Sequence, residues 1–152
     1  MLIRTAKLWL LGLVCAAFSV ACHSSPKGEE GTKPGSTAEA KPMAEVSVSD
    51  VSRFIKDKRA IVLDANDKDT RKEYGVVPGA VLLAGHNDYE LSVLPAAKQE
   101  KLVFYCGGTQ CRASDKAAAR AAAAGYSDVN VMRAGIRGWK EAGLATNPPP
   151  QS

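Results

Sequence analysis

Two cysteines in one short loop are the residues of this chain best suited to do chemistry. Cys106 closes an apolar run, Leu102 to Tyr105. The segment Gly107-Gly108-Thr109-Gln110-Cys111-Arg112 then leads into an alanine-rich stretch, Asp115 to Ala124. The run has the length and β-rich composition of a buried strand, and the alanine stretch is the strongest helix former in the chain. Where a strand passes through a tight loop into a helix, backbone N–H groups of the loop and of the first helical turn converge. They place partial positive charge where an anion would sit. A thiol there is favoured as the thiolate, the nucleophilic form. Cys106 is therefore the candidate nucleophile. Gly107, Gly108, Thr109 and Gln110 are the candidate N–H donors to a bound anion, and Arg112 is its candidate side-chain ligand. Cys111 is a candidate redox partner or resolving thiol, able to attack a persulfide on Cys106, release sulfide and leave a disulfide.

The elements that position this loop follow from pattern. Val46 and Val48 alternate with polar residues as in a short strand. Ser49 is placed to cap a helix through Lys56 that carries Val51, Phe54 and Ile55 on one face. Ala60 to Ala65 reads as a buried strand ending at Asp64. Asp67 to Tyr74 reads as a polar helix stopped by Gly75, and Val81 to Ala84 as a third strand. Gly85 to Leu94 is irregular, and Pro95 is placed to start a short helix ending near Gln99. After the Cys106 loop and its helix, Gly125 marks a helix end. Val129 to Met132 is a strand, and Gly135 to Ala142 a short amphipathic helix with Ile136 and Trp139 on its core face. Alternating strands and helices predict an α/β fold with a mainly parallel sheet covered on both faces. Sites in such sheets lie beyond the carboxyl ends of the strands, where both Cys106 and Asp64 fall. A carboxylate at Asp64 reads as structural support, capping nearby N–H groups or pairing with an arginine.

The chain has 152 residues, 45% of them hydrophobic, and a formal charge of +4. That is room for one domain. Residues 1–21 read as a signal peptide: Arg4 and Lys7 precede an apolar segment, Leu8 to Val20, too short for a comfortable span. Cys22 follows small residues and resembles the lipidated cysteine of bacterial lipoproteins, although Ser19 stands where that signal usually has leucine. Cleavage after Ala21 without lipid and a retained N-terminal anchor are the alternatives, and all three export the rest. His23 after Cys22, rather than aspartate, leans by analogy towards the outer membrane, with the domain on the periplasmic side. Residues 22–44 are a flexible linker rich in Ser, Pro, Gly, Lys and Glu. The domain is expected over 45–145, followed by a disordered tail, 146–152, with three prolines. Without Arg4 and Lys7 the charge is close to balance, which gives nucleic-acid binding no support.

Five pieces in order resemble a single-domain member of the rhodanese-like sulfurtransferase family. They are Ile61-Val62-Leu63-Asp64, Glu73-Tyr74-Gly75-Val76-Val77-Pro78-Gly79-Ala80, Val103-Phe104-Tyr105-Cys106, Gly125-Tyr126-Ser127-Asp128-Val129 and Ala134-Gly135-Ile136-Arg137-Gly138-Trp139. The resemblance implies a two-step exchange. The Cys106 thiolate takes a sulfane sulfur from a donor such as thiosulfate, forming a persulfide that a thiol or cyanide removes. Two departures stand out. Asn66 occupies a position where the family commonly has arginine, and Cys111 the fifth position after Cys106, where arginine is also common. With Ser114 as the helix start, the loop is one or two residues longer than usual.

Three other readings use the same residues. Cys106 and Cys111 would serve a thiol–disulfide redox protein. Cys106 and Arg112 have the Cys-x5-Arg spacing of protein phosphatases and arsenate reductases, in which arginine clamps an oxyanion, although those phosphatases often have histidine where Tyr105 stands. A non-catalytic binding module is the third, because folds are reused without activity. His86 reads as a solvated loop residue and Trp139 as core packing. No His/Cys cluster has metal-ligand spacing, and no cofactor is expected. The expected partners are a small sulfur-containing anion or thiol acceptor and, through Cys22, a membrane. No protein partner is indicated.

Overall fold

The computed structural model describes residues 43–150. The signal peptide, Cys22 and nearly all of the linker expected from the sequence lie outside the described residues. So do the last two residues of the expected tail.

Among the described residues, five short strands and four α-helices alternate. In order they are β1 (Ala44–Glu45), α1 (Val48–Lys56), β2 (Ile61–Asp64), α2 (Lys68–Tyr74) and β3 (Val81–Leu82), then β4 (Leu102–Tyr105), α3 (Ala113–Ala123), β5 (Val129–Met132) and α4 (Gly135–Glu141). The sheet has the order β1-β5-β4-β2-β3, and every strand pair in it is parallel. The α/β expectation holds.

The sheet divides two cores, because successive strand side chains point to opposite faces. Leu102 and Phe104 of β4 join Leu63 of β2 and the Ala117, Ala118 and Ala121 stripe of α3. Val103 and Tyr105 join Val62, with Val51 of α1 and Ile136 and Trp139 of α4, on the other face. All four β4 residues are fully buried. A parallel strand covered on both faces reads as a continuous apolar run for that reason, and each such large side chain contributes about 1.5–3 kcal/mol by leaving water. The alanines of α3 let the helix approach the sheet closely while keeping high helix propensity.

Local sequence sets most element ends, with departures from expectation. The cap of α1 is Ser47, not Ser49. Its Oγ accepts from the Asp50 N–H at 3.1 Å, and Asp50 reaches back to the Ser47 N–H at 3.4 Å. This reciprocal capping box needs an acidic residue three positions on, and only Ser47 has one. The strand expected around Val46 and Val48 is β1, two to three residues earlier, because Val48 already belongs to α1. The helix expected at Pro95 does not form; a single 3-10 turn lies at Leu91–Val93 instead. Carbonyls of the Pro95 segment are taken from outside it: Tyr126 Oη donates to Pro95 O at 2.5 Å, and Ser127 N to Lys98 O at 3.0 Å.

The expected tail is tied down at its start. Asn147 exchanges both backbone hydrogen bonds with Val76, each 2.9 Å, and Trp139 Nε1 donates to Ala145 O. This contact explains Gly75. Its φ is +78°, and a Cβ there would stand 2.8 Å from the Asn147 carbonyl oxygen. No helix among the described residues is long and apolar enough to cross a membrane.

Candidate active site

The chain leaves β2 for the β3 edge and returns to lay β4 and β5 on the other side, so the connections diverge between β2 and β4. At such a switch point the carboxyl ends of an open α/β sheet leave a crevice. A cavity of about 620 Å³ lies there. Its walls come from Ala65, Asn66 and Asp67 after β2, from Gly107 to Cys111 after β4, and from Ala134, Arg137 and Gly138 after β5.

The floor on the β2 side is a closed polar network. Asp64 is fully buried. Its Oδ1 accepts from the Asn66 N–H at 2.7 Å, and its Oδ2 from Tyr105 Oη at 2.6 Å. Tyr105 Oη in turn accepts from the Val77 N–H at 3.0 Å. Burial pushes the Tyr105 phenol well above its ordinary pKa, and the adjoining Asp64 carboxylate adds to the shift. Arg71 is buried beside them. Its Nε stands 3.4 Å from Asp64 Oδ1, an ion pair without hydrogen-bond alignment, and its Nη2 donates to the carbonyls of Asp64 and Leu83, both at 2.9 Å. The sequence reading of Asp64 left open capping or pairing with an arginine; in the structure it does both.

The wall on the β4 side is built differently. Cys106 is 2% exposed. The N–H groups of Ile136 and Arg137 at the start of α4 take the carbonyls of Cys106 and Gly107, at 2.8 and 3.2 Å. Cys111 N–H closes a turn onto Gly108 O at 2.9 Å. Among the described residues, the N–H groups of Gly107, Gly108, Thr109 and Gln110 have no protein acceptor. The start of the loop thus has its carbonyls bound by the protein, while the N–H groups of the cavity-lining residues Gly107 to Gln110 are left without a protein acceptor, the polarity an anion site requires. Gly135 makes the docking feasible. Its φ is +62°, and a Cβ would overlap the Cys106 carbonyl and stand 2.6 Å from Gly108 N.

Cys106 and Cys111 are joined as a disulfide, with Cα atoms 6.3 Å apart. Cys111 lines the cavity and Cys106 does not. Ser114, 2% exposed, stands 3.3 Å by its Oγ from Cys106 Sγ. A disulfide sulfur has no proton, so the hydroxyl is the donor. Helix α3 starts at Ala113, two residues earlier than the alanine run implied, which puts Ser114 in its first turn facing the sulfur.

Arg112 is not brought to the cavity. Its side chain is 69% exposed, and its Nη1 lies 3.2 Å from Asp115 Oδ2. The same oxygen accepts from Arg133 Nη1 at 2.9 Å. Burial would raise the Asp115 pKa, but the hydrogen bonds from Arg133 and Arg112 outweigh it and hold the carboxyl below its ordinary range. The cationic side chain on the cavity wall is Arg137, with its guanidinium 5.0 Å from the centre of the Tyr74 ring. His86, read from sequence as solvated, also lines the cavity, as does Asn66. Asn66 is 7% exposed, and its Nδ2 is buried without a partner. The sequence signal for Asn66 was its place two residues after Asp64. Arg137 had only its place in the segment after β5, and Ser114 only its place at a helix start. Among the described residues, no three His, Cys, Asp or Glu side chains cluster as they would around a metal ion.

Residues 47–142 match the family model described as the rhodanese-like domain. No curated protein sequence matches the chain. Among solved structures, the BH2092 protein of Bacillus halodurans is 28% identical with a TM-score of 0.56, over 66% of this chain and 74% of that one. The human single-domain sulfurtransferase TSTD1 is 20% identical with a TM-score of 0.51, over 66% of this chain and 96% of that one. A Rhodopseudomonas palustris protein of unknown function, RPA3614, described as a possible tyrosine phosphatase, is 20% identical with a TM-score of 0.57, over 76% of this chain and 99% of that one. At 20% identity the last two are likenesses of fold alone. With the family model covering more than half of the sequence, and the parallel sheet and cysteine loop in the arrangement described, this chain belongs to the rhodanese-like domain family.

Proposed function

We propose that the protein is a sulfurtransferase that carries sulfane sulfur on Cys106. The observation that carries this reading is the loop after β4. The carbonyls of Cys106 and Gly107 are bound by α4, while the four successive N–H groups of Gly107 to Gln110, on the cavity-lining residues that follow this strand-end cysteine, have no protein acceptor among the described residues. In the reduced protein the Cys106 thiolate attacks the outer sulfur of a donor such as thiosulfate. The new S–S bond forms a persulfide, and the donor's S–S bond breaks to release sulfite with the electron pair. The free N–H groups stabilise charge on the thiolate, on the persulfide and on the departing anion. An acceptor thiolate or cyanide then attacks the outer sulfur and restores the Cys106 thiolate.

Arg137 and the Asn66 amide supply further donors to the anion; Arg112, paired with Asp115, is a lesser one. That placement disfavours phosphatase or arsenate reductase chemistry, which needs the Cys-x5-Arg guanidinium at the oxyanion. The signal-like segment and Cys22 support an exported protein, lipid-anchored in the cell envelope.

The test is intact mass of the reduced full chain after mixing with thiosulfate. Gain of one sulfur atom that is reversed by a thiol and absent from Cys106→Ser is the expected result. No adduct, together with hydrolysis of an aryl phosphate lost in Cys106→Ser and Arg112→Ala, would replace this reading with the phosphatase one.

A further inference from the structure

The disulfide occupies the sulfur that the proposed transfer needs. As a permanent staple it would abolish the site, so it must be a state that the protein enters and leaves. Its geometry is asymmetric. Cys111 forms part of the cavity wall, whereas Cys106 is 2% exposed and accepts a hydrogen bond from Ser114 Oγ at 3.3 Å. The 6.3 Å between their Cα atoms lies within the span of a disulfide, about 4.4–6.8 Å. The Gly108–Cys111 turn holds Cys111 at that distance. Cys106 Sγ, the atom to which any carried sulfur is bonded, is therefore within reach of a second thiol in its own loop.

We propose, resting on the sulfur-transfer reading above, that Cys111 is a resolving residue that makes the domain release sulfide. The Cys111 thiol loses its proton as its sulfur attacks Cys106 Sγ of the persulfide. The Cys106–Cys111 bond forms, the bond to the outer sulfur breaks, and that sulfur leaves with the electron pair and the proton as hydrosulfide. The product is the disulfide described here. An external dithiol resets it. The dithiol attacks the accessible Cys111 sulfur, and Cys106 leaves as a thiolate stabilised by the Ser114 hydroxyl and the loop N–H groups. A second attack within the mixed disulfide frees Cys111 and oxidises the dithiol. Over one cycle thiosulfate and dithiol become sulfite, hydrosulfide, a proton and the oxidised dithiol. The substrate class is thus a sulfane-sulfur anion paired with a dithiol reductant, rather than an acceptor that keeps the sulfur.

The experiment uses the full chain with Cys15→Ser and Cys22→Ser, so that the loop pair holds the only thiols. The chain is reduced, freed of reductant and mixed with thiosulfate; released sulfide and intact mass are followed together. The expected result is close to one sulfide per chain, with the protein ending as the disulfide and retaining no added sulfur. Adding Cys111→Ser, or Cys111→Ala as a second variant, should still give a sulfur adduct, hold the added sulfur at least about tenfold longer and release no sulfide until a thiol is supplied. Equal persulfide lifetimes with and without Cys111 would overturn the resolving role and leave sulfur transfer standing. Absence of sulfur uptake from every chain would overturn both.

Discussion

The loops leaving β2 and β4 are neighbours at one end of the sheet and are built in opposite ways. After β2, the Asp64 carboxylate is occupied by Asn66 N–H and Tyr105 Oη, and its backbone carbonyl by Leu83 N–H and the Arg71 guanidinium. After β4, the carbonyls of Cys106 and Gly107 are bound by α4, but the N–H groups that follow are left for the cavity. The first loop stabilises the fold because a buried charge is tolerable only when paired and hydrogen-bonded. The second gives up backbone hydrogen bonds that folding would otherwise gain, and that deficit is what an anion can fill. Tyr105 joins the two: it ends β4 beside Cys106 while its hydroxyl belongs to the Asp64 network.

The largest effect should come from breaking the closed side. Asp64→Ala strands the Arg71 charge in the interior and leaves Tyr105 Oη without its acceptor, a loss of about 3–5 kcal/mol. Urea denaturation would show it, with Asp64→Asn falling less because the amide oxygen still accepts. If Asp64→Ala unfolds within a few tenths of a kcal/mol of wild type, the network is not what holds this end of the sheet.

Gly135→Ala tests the docking of the open side. A residue forced into a left-handed conformation against the Cys106 and Gly108 backbone costs about 1–3 kcal/mol. Because the strain falls on the active loop, sulfur uptake by the reduced chain should slow more than stability drops. A variant of normal uptake rate would show that the loop does not need this close approach.

The two arginines sharpen the comparison within the open side. Arg137→Ala should raise the KM for thiosulfate about tenfold, the worth of one charge-assisted hydrogen bond, whereas Arg112→Ala should change it less than twofold. The reverse order would mean that Arg112 leaves Asp115 when substrate binds.

The smallest effect concerns pH. The folded-state pKa of Asp115 is held below its ordinary value, so its ionised form favours the folded state. That contribution is fully present above the unfolded-state value and is lost as pH falls through the lower folded one. From about pH 4 downward, wild type should lose urea resistance more steeply than Asp115→Asn. Parallel curves would mean that the Arg112–Asp115–Arg133 cluster adds nothing to stability.

Much of this is legible in the sequence. Leu102 to Tyr105 has the length and composition of a buried strand, and a cysteine ending it before two glycines and an alanine-rich helix falls at the carboxyl edge of the sheet. Those inferences survive because they rest on burial and local propensity, which act along the chain. The capping box is also written in the sequence, in Ser47 and Asp50; Ser49, two residues on, offers the same oxygen without the reciprocal acid. Pro95 failed as a helix start because Tyr126 and Ser127, distant in sequence, take its segment's carbonyls.

Residue type and local order, then, were enough to determine the alternation of strands and helices, the position of Cys106 and the presence of a second thiol within reach. Where the cations point was decided only in three dimensions. Arg112 is drawn away by Asp115, which Arg133 from the end of β5 also holds, and Arg137 comes to the cavity because α4 docks its first N–H groups on the cysteine loop. Side-chain direction depends on charges and carbonyls that the fold brings from other segments, and no spacing within one segment encodes them.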